Sequence, residues 1–415
     1  MPELTQRRET RARDPMLFAV CALGISQITA WGTSYYILGV LAAPIAAETG
    51  WSRTLVFFGF TLALLAMAAV STSVGRAIDR HGARLVMSIG TVLVSAGLVA
   101  LSQVASEGAY LAAWVFLGIG MRLVLYDAAF AALVQIVPSR GRRAISYLTL
   151  FGAFASTIFW VVGYFVNEAL GWRHTVGLFA VINLAVCLPL NWYGLARRES
   201  TRAASDAPEP AASIDGPPLE GRIRSVAMAL FALVMSLNAF VFGVITVQLV
   251  PLLEAAGLAA AAAVWVASMK GFAQFGGRVV EIVFARNLRA ISVARITVGV
   301  LAVAFAILLA ARGNLYAILA FTLLMGASQG VLSIVRGALP LALFGPNRYA
   351  TVLGVLATPI LIVNAASPTL FALIVDRFGW ERAQLTLATI AVIACVAMEL
   401  MSRWYERARR PGHAP

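Results

Sequence analysis

Gly75-Arg76-Ala77-Ile78-Asp79-Arg80-His81-Gly82-Ala83-Arg84 is a short polar connection between two apolar runs, 54–74 and 85–104. A hydrocarbon core takes about 20 apolar residues per helical crossing, and each run supplies that length. The connection carries three arginines, an aspartate and a histidine, so it stays in water. Its arginines place it on the cytoplasmic side, where membrane proteins keep Lys and Arg in short loops. The stretch therefore reads as the turn of a transmembrane hairpin.

The same texture extends in both directions. Apolar runs occur at 16–47, 54–74, 85–104, 109–137, 144–167 and 174–196, and again at 225–252, 258–280, 292–311, 315–344, 350–375 and 383–402. Continuous runs of this length exclude a strand barrel, whose segments alternate over about ten residues. They predict twelve transmembrane helices. Composition agrees: of 415 residues 60% are hydrophobic and 12% charged, against roughly 45–50% and 25% in soluble chains. A soluble cytosolic enzyme, a disordered chain, a collagen and a disulfide scaffold are all excluded on that ground. Cys21, Cys187 and Cys395 each lie in an apolar run without CxxC spacing and read as packing residues, so no metal site and no cofactor is expected. The first run is too long for a signal-peptide core and lacks a small-residue cleavage pattern, so it reads as a retained helix.

Between the sixth and seventh runs, residues 198–222 contain Ala-Pro-Glu-Pro and Gly-Pro-Pro and cannot bury enough apolar surface to order themselves. They read as a flexible linker between an N-terminal bundle, 1–197, and a C-terminal bundle, 223–415. The halves repeat one another. Pro44 to Gly50 matches Pro251 to Gly257, Pro138 matches Pro346, and Glu168-Ala-Leu-Gly171-Trp172 matches Asp376-Arg-Phe-Gly379-Trp380, at offsets of 207 or 208. Gly75-Arg-Ala-Ile-Asp79 matches Gly277-Arg-Val-Val-Glu281 at an offset of 202. Such landmarks in order argue for a duplicated six-helix unit.

Basic residues set the orientation. There are 31 arginines and one lysine, Lys270, and a formal net charge of +13. With the N-terminus inside, cytoplasmic segments hold 24 of them and outer loops five, Arg53, Arg173, Arg312, Arg377 and Arg382. The cytoplasmic set includes Arg7, Arg8, Arg11 and Arg13, Arg140, Arg142 and Arg143, Arg197, Arg198, Arg202, Arg222 and Arg224, and Arg403, Arg407, Arg409 and Arg410. Both termini and the linker are thus expected in the cytoplasm. The positive balance has this origin, and no nucleic-acid partner is expected.

The 75–84 connection resembles G-x-x-x-D-R-x-G-x-R, the pattern between the second and third helices of the major facilitator superfamily. With twelve predicted spans, a duplicated half and a central cytoplasmic linker, the resemblance covers essentially the whole chain. It implies an all-α integral membrane fold, two pseudo-symmetric six-helix bundles around a central cavity lined mainly by helices 1, 4, 7 and 10, and alternating access. Gly75, Asp79, Arg80, Gly82, Arg84 and the second-half Glu281 would then be gating residues. Asp79 can sit at a helix N-terminus, whose partial positive charge favours an anion. The texture is similar to bacterial members of the monocarboxylate or oxalate–formate type, and also to efflux members. Two departures stand out. Helix 5 lacks the Gly-Pro-rich pattern of antiporters, and the helix 4 arginine, Arg122, follows Gly118 and Gly120 rather than preceding the glycine.

Ionisable groups in mid-span are costly and usually face the protein interior or a water-filled cavity. Four qualify: Arg122 and Asp127 in the fourth run, Lys270 in the eighth and Arg336 in the tenth. Asp127 is the candidate proton-coupling group, with Arg122 or Arg336 as its partner in the empty carrier. A static structural pair is the competing reading. Gln27, Trp31 and Tyr35 share one face of the first helix, and Asn238 and Phe242 one face of the seventh. Tyr126, Gln329, Ser333 and Asn364 complete the candidate substrate-binding set, alongside Arg336, Arg122 and Lys270. A mostly apolar site with a few convergent polar groups has this character, although aromatics at helical spacing also serve packing.

These residues point to a secondary active transporter in a bacterial inner membrane, moving a small organic anion with a proton or other coupling ion. The other reading is an efflux carrier for a neutral, drug-like or metalloid compound. An embedded enzyme lacks support: there is no HExxH, GxSxG or GxxxxGK[ST] motif, and His81, His174 and His413 all lie outside the spans. Expected partners are the substrate, the coupling ion and lipid, for a monomeric protein.

Overall fold

The computed structural model describes residues 15–196, 215–285 and 287–408. Arg7, Arg8, Arg11, Arg13, Arg197, Arg198, Arg202, Arg409, Arg410, His413 and the linker positions 198–214 lie outside the described residues, as does the side chain of Arg407. Among the described residues there are helices and no strand. Nine stretches of the described residues are long and apolar enough to cross a membrane.

In chain order, α1 (Pro15–Ala30) and α2 (Leu38–Thr49) are joined through a π-turn at Trp31–Tyr35, then come α3 (Arg53–His81) and α4 (Ala83–Ser102). The fourth apolar run forms two helices, α5 (Glu107–Val124) and α6 (Tyr126–Ile136). Next are α7 (Gly141–Gly152), α8 (Ala155–Ile182), a second π-turn at Asn183–Cys187, and α9 (Leu188–Gly194). The second half contains α10 (Gly221–Ala255), α11 (Ala260–Phe284), α12 (Ala290–Ala310), α13 (Leu315–Phe344) and α14 (Tyr349–Ala408). Helix α11 carries Lys270, Gln274, Arg278 and Glu281 and falls outside the nine apolar stretches.

Two stretches, Pro138–Gly194 and Tyr349–Glu406, are 57 and 58 residues long. At about 1.5 Å per residue that is far more than one crossing of a core about 30 Å thick. Each bends at a glycine: Gly171 has φ 77°, ψ 166° and Gly379 has φ 77°, ψ 169°. These are the glycines of the repeated Gly-Trp landmark, and they adopt one backbone conformation in both halves. Helix starts follow side-chain chemistry. Ser52, Ser106 and Asn314 each accept a hydrogen bond from the backbone N–H three residues on, which satisfies a donor that the helix leaves open.

The chain divides into two compact units, Met1–Ala212 with Pro346–Gly354, and Ser213–Gly345 with Val355–Pro415. The first turns of α14 thus pack with the first unit. In that unit Trp114, Tyr110, Trp172 and Phe130 are fully buried. In the second, Phe305 and Phe321 meet edge to face at 5.2 Å within a core that includes Phe371. Phe165 in the first unit and Phe272 and Phe284 in the second are largely exposed. That is the expected exterior of a helix in lipid, where apolar side chains have no water to avoid. The end of the predicted linker lies along the second unit: Asp215 accepts from the Ala290 N–H at 2.8 Å, and the Leu219 N–H donates to the Leu343 carbonyl at 2.7 Å.

Candidate functional site

The first unit carries its in-span charges at a helix break. Leu125 is extended (φ −75°, ψ −173°) between α5 and α6. Arg122 lies in the last turn of α5 and Asp127 in the first turn of α6. A helix C-terminus favours a cation and an N-terminus an anion. The break therefore gives each charge a suitable helix end, and the Arg122 guanidinium donates to the Asp127 carboxylate across it. Both side chains are about 5% exposed. Arg122, one of the two arginines considered as partners for Asp127, thus lies against it.

Breaking the helix also frees a carbonyl. The Ala128 and Ala129 N–H groups both bond to the Leu125 carbonyl, and the Val124 carbonyl accepts instead from Gln27 Nε2 at 2.7 Å. Gln27 Oε1 accepts from the Trp31 indole N–H at 3.1 Å, so both ends of this fully buried amide are engaged. Trp31 opens the π-turn, marked by the Tyr36 N–H bonding to the Trp31 carbonyl at 3.0 Å. Its ring contacts Tyr35 (centroids 4.7 Å) and Tyr126 (5.0 Å). Tyr35 meets Phe60 edge-on at 4.9 Å, and Tyr126 stacks on Phe130 at 5.2 Å. Trp31, Tyr35 and Tyr126 are half-buried. The structure thus brings Gln27, Trp31, Tyr35 and Tyr126 together beside the Arg122–Asp127 pair. Gly152, where α7 ends, leaves room for the Tyr126 hydroxyl against its backbone.

Sequence reading missed a second polar seam in this unit. Ser26 donates to Asn191 (2.9 Å), Asn191 to Thr91 (3.0 Å), and Asn183 to Thr33 (2.7 Å), all buried. The available signal was a pair of asparagines within one otherwise apolar run, 174–196, and polar side chains in spans commonly bridge helices.

In the second unit the Lys270 ammonium lies 5.7 Å from the Phe242 ring centroid. One turn along α11, Gln274 Nε2 donates to Gln329 Oε1 at 3.4 Å. Gly326 and Gly330 allow this closeness, since a Cβ on either would run into the α11 backbone at Lys270 and Gln274. Buried Asn238 donates to its own helix at the Val234 carbonyl, and Ser333 to the Gly330 carbonyl. Asn364 and Ser367 pack against Gly243. Arg336 is half-buried in α13, and Glu281 is buried near the end of α11 beside its helix neighbour Arg278.

The 75–84 connection is also fixed. Asp79 accepts from the Ala350 N–H (3.2 Å), the Thr351 N–H (2.8 Å) and the Thr351 hydroxyl (2.6 Å), at the first turn of α14. Gly75 admits the Ala350 carbonyl, and Gly354 the Ser71 carbonyl, at distances that a Cβ would forbid. Gly82 turns the chain with φ 84°. Arg84 lies over the Trp192 ring at 4.2 Å, and Arg80 is exposed. Gln135, absent from the sequence-derived set, braces the turn by accepting from the Ala83 N–H and donating to the Ile78 carbonyl.

A family model described as Major Facilitator Superfamily matches residues 23–310. No curated protein matches the chain. Among solved structures it is similar to the human organic anion transporter MFSD10 (TETRAN), at 16% identity and TM-score 0.72, covering 93% of this chain and 100% of that one. It is similar to the proton:xylose symporter XylE bound to 6-bromo-6-deoxy-D-glucose, at 13% identity and TM-score 0.72, covering 93% and 95%. A bacterial homologue of the iron transporter ferroportin, in an outward-facing state with soaked iron, aligns at 14% identity and TM-score 0.74, covering 93% and 99%. At these identities the likeness is one of fold.

Proposed function

The chain belongs to the major facilitator superfamily of multi-pass membrane transporters, and on that premise we propose that it carries a small organic anion by alternating access, coupled to a proton through Asp127. The observation that carries the anionic substrate is Lys270. It is a mid-span cation, half-buried, with its ammonium against the Phe242 face and an amide pair one turn away. Counting formal charge, the mid-span positions hold Arg122, Lys270 and Arg336 against one carboxylate, Asp127. That carboxylate is engaged by Arg122 within its own run. Charged groups at such depth mark substrate or ion pathways, and an excess of cations suits an anion.

In this reading the second unit recognises the anionic group through Lys270 and Gln329, with Asn238, Phe242, Ser333, Arg336 and Asn364 as further contact residues. Within the first unit, Trp31, Tyr35 and Tyr126 form an aromatic cluster of the kind that takes an apolar group. Protonation of Asp127 releases Arg122 and so joins proton movement to the break in the fourth run. The arginine bias supports a cytoplasmic position for both termini and the linker, in a protein of the inner membrane. The 75–84 connection gates through the contacts of Asp79 with the start of α14.

The test is uptake into proteoliposomes under an imposed pH gradient, with benzoate, lactate, oxalate, a neutral sugar and arsenous acid as probes. An anion should accumulate with the gradient. Lys270→Gln should raise its half-saturating concentration about tenfold or more, the loss of one charged hydrogen bond. Accumulation of the neutral probes alone, or an unchanged affinity in Lys270→Gln, would reject the anion reading.

A further inference from the structure

Two backbone irregularities of the first unit meet at one side chain. The π-turn that begins at Trp31 and the break at Leu125 are 94 residues apart in sequence. Gln27 is bonded to both: its amide N–H to the carbonyl that the break leaves open, its amide oxygen to the indole that starts the π-turn. The residue is wholly buried and packed between them. Arg122 lies two residues before Val124 and Asp127 three residues after it. Whatever sets the Val124 peptide therefore sets how those two charges face each other. On the other side, the Trp31 ring is half-buried and touches Tyr35 and Tyr126. An amide has both a donor end and an acceptor end, and here each end holds one irregular segment. Non-helical backbone at membrane depth persists only where such partners satisfy it.

We propose that Gln27 is a positioning residue that couples the orientation of Trp31 to the geometry of the Arg122–Asp127 pair, rather than a residue that touches the substrate. This inference rests on the carrier reading above for its meaning in transport. The coupling itself is internal to the first unit. A solute that turns the Trp31 ring pulls on the amide and thereby on the Val124 carbonyl. A change in the charge pair tilts the break and is felt at the indole. Reciprocity is required, because coupling between two sites is one free energy.

A test that needs no substrate reads the indole N–H. In a spectrum of the reconstituted protein with 15N-labelled tryptophan, the Trp31 signal is assigned by its loss in Trp31→Phe. Asp127→Asn should shift that signal. In Gln27→Met, which keeps the length of the side chain and removes both bonds, the Trp31 signal should move to the position of an unbonded indole. There it should no longer respond to Asp127→Asn. A Trp31 signal indifferent to Asp127→Asn, or one that responds equally in Gln27→Met, would overturn the proposal. The second result would show that contact through Tyr126 suffices.

A second measurement separates positioning from binding, using the anion that the proteoliposome panel identifies. Gln27→Met should retain exchange of that anion between the two sides while losing about tenfold of its pH-driven accumulation, within the usual range of coupling between sites. Parallel loss of both would overturn the proposal in favour of a substrate contact or a packing role. Should Gln27→Met not fold, Gln27→Leu, which also removes both amide bonds and leaves Trp31 in place, takes its part in both measurements and must give the same separation. If wild type transports nothing in the panel, the carrier reading fails, while the spectroscopic test still decides the coupling.

Discussion

The fourth and tenth apolar runs hold equivalent places in the two halves of the sequence, and each spans 30 residues, Glu107–Ile136 and Leu315–Phe344. One is broken at Leu125, and the other is a single helix although it contains Pro340. Leucine is a strong helix former, and proline costs a helix interior about 3 kcal/mol. Intrinsic propensity therefore predicts the opposite arrangement. The difference lies in the partners. At an offset of 208, the tenth run has Gly330, Ser333 and Val335 where the fourth has Arg122, Leu125 and Asp127. The fourth run has a charge for each helix end and Gln27 for the open carbonyl. In the tenth, Ser333 returns its hydroxyl to the Gly330 carbonyl within the helix. The break is held by tertiary contacts, not by the residue at which it occurs.

The largest effect should come from unbalancing that break. Arg122→Met or Asp127→Leu alone strands a buried charge and should lower stability by about 3–5 kcal/mol. The double variant should recover much of this loss, because replacing a buried pair with apolar groups is often neutral. Thermal unfolding of the purified protein in detergent measures all three. Additive losses would mean that the two charges act separately, and the comparison of the runs would lose its physical basis. Equivalent changes in the tenth run, such as Val335→Leu, should move the midpoint little.

A smaller, matched pair of effects tests where the halves agree. Gly171 and Gly379 share φ 77°, and a Cβ built on either meets nothing within 4 Å. Substitution by alanine is then a pure backbone penalty in a region reserved to glycine, about 1–3 kcal/mol at each. The two losses should be equal within experimental error by the same unfolding assay. Unequal losses would show that the repeat in sequence is not a repeat in energy.

How much of this was legible in the sequence depends on the range of the interaction that decides each feature. The apolar runs follow from the water-to-lipid transfer of single segments, so their order could be read directly, whereas the repeated Gly-Trp landmark read only as a sign of duplication and its bend came from the structure. Asp79 at a helix start was expected from its charge, but the helix that donates to it, beginning some 270 residues later, was not identifiable from any local pattern. The grouping of Trp31, Tyr35 and Gln27 followed from helical spacing. Yet that spacing assumes an unbroken helix, and it gave no hint of the π-turn or of the carbonyl that Gln27 bonds. The Leu125 break was invisible because no proline or glycine lies at it, while Gln27, one of the groups that hold it, lies in another span. Asn183, Asn191 and Gln135 were passed over for the same reason: each is an isolated polar residue whose partners come from distant segments.

The smallest effect on stability belongs to the 75–84 connection, and it marks the contrast between a buried break and a surface latch. Asp79→Asn keeps an oxygen acceptor for the start of α14 and removes the charge, a loss of about 0.3–1 kcal/mol where a helix N-terminus meets water. Thr351→Val removes one hydroxyl donor, about 1 kcal/mol by ordinary hydrogen-bond accounting. Because both changes act on one cluster, the double variant should lose less than the sum. The unfolding midpoint should therefore barely move, in contrast with Arg122→Met. A shift of about 1 kcal/mol still changes a two-state population roughly fivefold. If the latch holds one state of the transport cycle, Asp79→Asn should alter the rate of anion exchange by that order while leaving stability nearly intact. A midpoint that falls as far as that of Arg122→Met would make Asp79 a pillar of the fold rather than a latch on its motion.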